Sequence, residues 1–135
     1  MLPVFTQNKI YFPSTLRTIT PTNEELERYA ILSNLLGLNV ESQKQDLDIY
    51  ASYIFYFQSF NQNTKKFDTR LERVEQAKED LDKFSKYNLS NQVKKYSLDY
   101  LIITPDKLNK VKPHYELLKS VGSINDYIIF RVIPI

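Results

Sequence analysis

The chain has 135 residues, 42% hydrophobic and 25% charged, which is the composition of a folded domain large enough to bury a core. Its 18 Lys and Arg nearly balance its 16 Asp and Glu, so the sequence lacks the basic field that drives nonspecific nucleic-acid binding. The absence of cysteine excludes disulfides, thiolate metal sites and cysteine nucleophiles. Because no apolar run approaches the roughly 20 residues that span a bilayer, we expect a soluble domain, either free-standing or cut from a longer parent.

The predicted elements place helices between two groups of strands. In chain order they are short strands at 4–6 and 9–12, helices at 23–36, 43–60 and 68–87, a short helical turn at 90–96, and strands at 98–104, 115–121 and 127–133. Thr22 and Glu25 have capping-box spacing at the first long helix, and Ser42 and Gln45 repeat it at the second. Gly37 is placed to end the first helix in the left-handed conformation. These patterns predict a single α/β domain with a small mixed sheet packed with two or three longer helices.

The strand predicted at 98–104 is strongly apolar. Apolar residues on both faces of a strand indicate burial from both sides, so we expect this strand at the centre of the sheet. Ile102 and Ile103 should then both be buried. The segment 122–126 has the composition of a hairpin turn between the last two strands.

Polar residues follow two of the predicted strands. If 4–6 and 98–104 are parallel neighbours, their carboxyl ends meet at the edge where open α/β sheets bind ligands. The polar residues at that edge are Thr6, Gln7, Asn8, Thr104 and Asp106. We expect weak binding of a polar small molecule such as a sugar or sugar phosphate there. The alternative is that Thr104 and Asp106 only cap the helical turn that follows.

The helix predicted at 43–60 is unusually aromatic, with six rings between Tyr50 and Phe60. A helix that touches a sheet along one stripe cannot bury them all, which leaves Tyr53, Tyr56 or Phe60 partly outside. An exposed patch of this kind marks a contact surface for a partner. The alternative is that the helices at 23–36 and 68–87 bury every ring.

Several motifs of catalysis are missing from the sequence. Gly37 and Gly122 are its two glycines, so it can build neither a phosphate-binding loop nor a dinucleotide fingerprint. It has no Gly-x-Ser-x-Gly elbow. The single histidine, His114, lies in a polar loop, where solvent exposure explains it better than catalysis does. We therefore predict no catalytic residue, no metal site and no cofactor.

The segment Lys94–Ile103 resembles a Lys-Tyr-x-Val-Asp-Tyr strand motif of bacterial multi-spanning membrane proteins. In those proteins, which look like glycosyltransferases that use lipid-linked sugars or their relatives, the strand lies in a soluble extracytoplasmic region after the last membrane span. Pro3–Thr6 is similar to the strand that opens such regions, and Tyr127–Val132 to the strand that closes them. Glu24–Arg28 and Thr69–Arg73 are similar to their Arg-bearing helices.

The resemblance implies a non-catalytic extracytoplasmic domain, tethered to the membrane through a parent chain that handles envelope glycans or lipid-linked sugars. Catalysis would lie elsewhere in the parent, so no catalytic residue is carried over. The alternative is a free-standing, cytoplasmic interaction module that uses the aromatic helix face. Membrane spans encoded before Met1 would favour the first function, and a native start at Met1 the second. The expected partner is the parent chain or another protein, with a weakly bound sugar and no nucleic acid.

Overall fold

Helices and a small sheet form the fold in a computed structural model that describes residues 22–54, 60–61, 63–67 and 70–135. In chain order the elements are α1 (Thr22–Leu35), α2 (Val40–Ile54), β1 (Phe60–Asn61), β2 (Lys66–Phe67), α3 (Arg70–Phe84), α4 (Leu89–Lys95), β3 (Tyr100–Ile103), α5 (Pro105–Leu108), a 3-10 turn (Tyr115–Leu117), β4 (Leu118–Ile124) and β5 (Tyr127–Val132). The predicted fold class, a small α/β domain with longer helices packed on a sheet, is confirmed. The strands predicted at 4–6 and 9–12 lie outside the described residues.

The end of α1 follows the sequence prediction. Gly37 has φ +76°, the left-handed conformation that favours glycine. The Leu38 backbone N–H donates to the Ser33 carbonyl oxygen at 2.9 Å, which closes the last turn of the helix. A Cβ at position 37 would collide with the backbone carbonyl of Lys112, so glycine is required there for space as well as for φ. The loop after α5 therefore lies directly against the end of α1.

The start of α2 differs from the prediction. Asn39 Oδ1 accepts a hydrogen bond from the Ser42 backbone N–H at 2.8 Å, and the helix begins at Val40. The capping box predicted from Ser42 is therefore wrong, because the helix begins before Ser42 and the Asn39 side chain accepts from the Ser42 N–H. At the other end, Phe60 lies in β1 and pairs with Phe67 of β2, so it does not belong to the helix as predicted.

The order of the described sheet, β3-β5-β4, places β5 at its centre, and both pairings are antiparallel. The prediction that the segment 98–104 forms the central strand is wrong. Leu101 and Ile103 are buried, whereas Tyr100 and Ile102 are exposed, so β3 has one covered face and one open face. Antiparallel strands tolerate that arrangement, and a run of apolar residues does not distinguish it from burial on both sides.

The last two strands form the predicted hairpin with shifted boundaries. Tyr115–Leu117 forms a 3-10 turn rather than strand, and β4 begins at Leu118. The turn between β4 and β5 contains Asn125, whose φ of +54° suits an asparagine. A register shift between Ser120 and Gly122 bulges β4 around the intervening residue.

Two hydrophobic clusters share α1. The sheet-side core contains Ile31, Leu35, Val93, Leu98, Leu101, Ile103, Leu117, Leu118, Phe130 and Val132. The helix-side core contains Leu26, Tyr29, Ala30, Leu47 and Leu81. Because α1 contributes to both clusters, it joins the sheet to the α2–α3 layer. The sheet-side core covers one face of β3 and β5, whereas β4 is exposed on both faces after Leu118.

Candidate functional site

The second face of the sheet, turned away from the helices, is the principal candidate site. Along β5, Phe130 and Val132 are buried beneath the helices, and the alternating residues Tyr127, Ile129 and Arg131 point the other way. Antiparallel partners share a face, so the pairings of β3 and β4 with β5 identify the remaining members. We call this surface the outer face; it consists of Tyr100, Ile102, Lys119, Gly122, Ile124, Tyr127, Ile129 and Arg131.

The strand pairings arrange the outer face in three rows across the sheet. The first, which we call the cationic row, contains Tyr100, Arg131 and Lys119. The second contains Ile102, Ile129 and Gly122, and the third contains Tyr127 and Ile124. One end of the face is therefore charged and aromatic, and the rest is apolar.

Four apolar residues of the outer face are strongly exposed, and the neighbouring Ile129 is half-buried. Tyr100 is 56% exposed, Ile102 43%, Tyr127 50% and Ile124 64%. Gly122 adds no side chain beside Ile129, and a Cβ built there would meet no heavy atom within 4 Å. Scattered single apolar residues are ordinary on protein surfaces, but neighbours on adjacent strands of one face form a patch that indicates an interaction site.

The cationic row places two like charges opposite each other. Lys119 is the direct cross-strand partner of Arg131, and both side chains are exposed. Within the described part of the chain, neither forms a salt bridge with a carboxylate. Like charges directly opposite on a sheet destabilise it. The folded domain therefore gains no stability from this arrangement.

A polar contact joins α1 to α4 at the edge of the sheet-side core. The Glu27 carboxylate accepts hydrogen bonds from Lys95 Nζ at 2.8 Å and from Tyr96 Oη at 2.6 Å. The Arg28 guanidinium lies 4.8 Å from the centroid of the Tyr96 ring, within cation–π range. Burial and the hydrogen bond to Glu27 raise the pKa of Tyr96. These side chains are partners of one another, so we assign the contact between α1 and α4 a structural role.

Three buried side chains on the helices keep polar atoms without partners. Both carboxylate oxygens of Glu25, Oε1 of Gln43 and Oε1 of Gln92 lack a hydrogen-bond partner among the described residues. Burial raises the pKa of Glu25 to about 7, and the charge of Arg28 partly opposes that rise. Glu25 is fully buried, which prevents it from contacting a ligand in solution. It is therefore a stability determinant rather than a site residue.

The predicted ligand-binding edge is only partly described. Thr104 occupies the position before α5 without a side-chain capping bond, and Asp106 is exposed in the first turn of that helix. Both lie at the carboxyl end of β3, as the sequence indicated. Thr6, Gln7 and Asn8 lie outside the described residues, so their convergence with Thr104 and Asp106 stays a prediction.

The predicted aromatic contact surface is likewise untested. Tyr53 lies in α2, Tyr56 lies outside the described residues, and Phe60 lies in β1. His114 is exposed, as the loop composition indicated, and its Nδ1 lies 2.8 Å from Glu116 Oε1. The outer face was not predicted as a site because Ile102 was assigned to a buried strand.

No group of three or more His, Cys, Asp or Glu that could hold a metal ion occurs within the described ranges. The helices of the described ranges include none that is long and apolar enough to cross a bilayer. No family model, curated protein or solved structure matches the chain.

Proposed function

We propose that this chain is a non-enzymatic protein-interaction domain that binds its partner through the outer face. The observation that carries the proposal is the exposure of Tyr100, Ile102, Ile124 and Tyr127 on adjacent strands of one face. Burying such a patch against a partner is favourable, since apolar area removed from water contributes about 25 cal/mol per Å². This is the interaction module that the sequence offered as the alternative function, with a sheet face in place of the aromatic helix face.

The rigidity of the platform supports the proposal. The inner face of the same strands packs on α1 and α4 through Leu101, Ile103, Phe130 and Val132, which are all buried. The outer side chains of β3 and of the end of β5 are therefore backed by a packed core before a partner arrives, whereas β4 is exposed on both faces after Leu118. Preorganisation of this kind reduces the ordering cost of binding.

A second proposal is the extracytoplasmic domain of a membrane protein that handles envelope glycans or lipid-linked sugars, as the sequence resemblance implies. The observation that favours it is the exposure of the Tyr100 and Tyr127 rings on the outer face. Each ring offers an apolar face and a hydroxyl tip, which suits the mixed surface of a sugar. On this proposal the outer face would bind a glycan, and the parent chain would supply the membrane tether.

A peptide-display selection on the full chain tests the first proposal. A random peptide library is selected on the wild type, and enriched peptides are titrated into labelled protein while backbone amide shifts are followed. Tyr127→Glu is the outer-face variant, and Tyr87→Glu is its matched control, because Tyr87 is 55% exposed and lies beyond α3. We expect shifts on β3–β5 and at least about a tenfold loss of affinity in Tyr127→Glu alone.

Three results would reject protein binding at this face. They are the absence of enriched peptides, shifts confined to another surface, or equal losses in the two tyrosine variants. Hexoses, N-acetylhexosamines and sugar phosphates are titrated in parallel. Sugar-induced shifts confined to Tyr100 and Tyr127, without peptide binding, would favour the second proposal instead.

A further inference from the structure

We infer that the cationic row, Lys119 and Arg131 beside Tyr100, binds a carboxylate of the partner, so that the partner segment is both acidic and apolar. This inference rests on the proposed function and names the chemistry of its partner. An acidic side chain would contact the cationic row while neighbouring apolar side chains cover Ile102, Ile129, Ile124 and Tyr127.

The geometry of the row suits one carboxylate shared by two cations. Cross-strand partners place their Cβ atoms about 5 Å apart, and Lys119 and Arg131 are such a pair. The planar guanidinium of an arginine can donate two parallel hydrogen bonds to a carboxylate, and a lysine ammonium can donate a third. Tyr100, the partner of Arg131 on β3, places an exposed aromatic side chain at the other end of the row.

The cross-strand position of the two cations, rather than their lack of an ion pair alone, makes this row distinctive. Lys44 contacts Asp82 at 2.9 Å, Lys78 contacts Asp48 at 2.9 Å, and Lys95 contacts Glu27 at 2.8 Å. Lys119 and Arg131 have no ion pair within the described ranges, as is also true of exposed lysines such as Lys86. Unlike Lys86, they are direct cross-strand partners of like charge. The repulsion between these two cations destabilises the free domain, and no anion in the described part of the chain relieves it. Binding of an external anion would explain why the row is present.

Charge also argues against two possible occupants of the outer face, namely residues 1–21 of this chain and a second copy of it. Residues 1–21 contain Lys9 and Arg17 and no Asp or Glu, so that segment brings no carboxylate to the row. A second copy stacked face to face with aligned rows would place Lys119 and Arg131 opposite the same cations. Electrostatic complementarity instead favours a separate partner that carries acidic residues.

Matched peptides test the inference directly. Extended peptides with alternating apolar residues carry Glu, Gln or Lys at the same end position, and their affinities for the full chain are measured by fluorescence anisotropy. At about 50 mM salt we expect the Glu peptides to bind about tenfold more tightly than the Gln peptides. Arg131→Gln and Lys119→Gln should each remove most of that preference, whereas Lys86→Gln, a change at an exposed lysine beyond α3, should not.

The outcomes separate this inference from the proposed function. If Glu and Gln peptides bind the outer face equally and Arg131→Gln has no effect, the carboxylate site is wrong and the interaction function stands. If none of the peptides binds, both are wrong. Tighter, Arg131-dependent binding of a 15-nucleotide single strand would overturn the choice of a protein partner. Concentration-dependent self-association of the wild type that Arg131→Gln abolishes would identify a second copy, bound through another surface, as the occupant.

Discussion

The helical part of the molecule, residues 22–84, and the sheet part, residues 85–135, have opposite charge balances. The helical part contains eight Lys and Arg against twelve Asp and Glu, and the sheet part contains eight against four. Within the helical part, cations such as Lys44 and Lys78 pair with carboxylates across the α2–α3 interface. Lys119 and Arg131 of the sheet part face solvent together. Ion pairs therefore link the layers of the helical part, whereas the two cross-strand cations of the sheet part are left to solvent.

The two parts also differ in what they bury. The sheet-side core is a cluster of apolar side chains, drawn mainly from the strands and α4, with Ile31 and Leu35 from α1. Each part buries one amide whose Oε1 has no partner among the described residues, Gln43 in the helical part and Gln92 in the sheet part. The helical part also buries the carboxyl of Glu25, and neither of its oxygens has a partner among those residues. Buried polar atoms without hydrogen bonds are costly. We therefore expect the helical part to be the less stable of the two and the one whose stability depends on pH.

The largest expected effects come from truncating one fully buried leucine in each core. Leu35→Ala in the sheet-side core and Leu47→Ala in the helix-side core should each lower the free energy of unfolding by about 2–5 kcal/mol. We expect Leu35→Ala to cost more, because its larger apolar cluster is less able to collapse into the cavity. Urea unfolding measures both, with the exposed Ile133→Ala as the control. A larger loss in Leu47→Ala would contradict the proposed difference between the cores.

The next effect concerns Glu25, whose pKa is about 7 in the folded domain against an ordinary value of 4.5. Because the folded state holds the proton more tightly, this group's contribution to stability is full below pH 4.5 and is lost as the pH rises through 7. Glu25→Gln should match the wild type near pH 4 and exceed its unfolding free energy by up to about 3 kcal/mol at pH 8. The exposed Glu79→Gln serves as the control. A difference between wild type and Glu25→Gln that does not grow with pH would refute this assignment.

A smaller effect is expected at the contact that joins the two parts through α1 and α4. Glu27→Gln removes the charge that accepts bonds from Lys95 and Tyr96, and we expect a loss of about 1–2 kcal/mol. Lys95→Met should cost less, because Lys95 is largely exposed and Tyr96 still donates to Glu27. Spectroscopic titration adds a second measurement: the Tyr96 pKa, raised in the wild type, should fall in Glu27→Gln. An unchanged Tyr96 titration would show that the hydrogen bond contributes little.

Local signals made much of the fold predictable. Gly37 predicted the end of α1 because its left-handed φ favours glycine and the space beside it leaves no room for a Cβ. The helical turn at 90–96 and the final hairpin also followed from nearby residues. Ser42 misled the prediction of the α2 start because Asn39, three residues earlier, offers an equivalent side-chain acceptor. A capping pattern alone does not decide between two candidates of this kind.

The candidate site depended on information that the sequence does not carry locally. Tyr100 and Ile102 could have faced a second helix layer or solvent, and the choice depends on which strands pair and which faces the helices cover. Likewise, Lys119 and Arg131 are twelve positions apart, and the hairpin register alone makes them neighbours. Thr104 and Asp106 were placed correctly at the end of β3, because a strand followed by Thr-Pro-Asp is a local signal. The outer face is formed by the strand pairing and the placement of the helices, which local sequence patterns do not specify.

The smallest effect separates stability from binding in the cationic row. Arg131→Gln and Lys119→Gln should each raise the unfolding free energy by about 0.5 kcal/mol at low salt, because each relieves a repulsion between cross-strand partners. The gain should shrink at high salt, where exposed charges are screened. Lys78→Gln should lower the unfolding free energy by about 0.5 kcal/mol, since it removes the pair with Asp48. A gain in unfolding free energy for Arg131→Gln and Lys119→Gln, together with a loss for Lys78→Gln, would support the proposal that the sheet part presents its cations to a partner. A loss of stability in Arg131→Gln would instead show that this side chain serves the fold, and the charge argument for an acidic partner would fail.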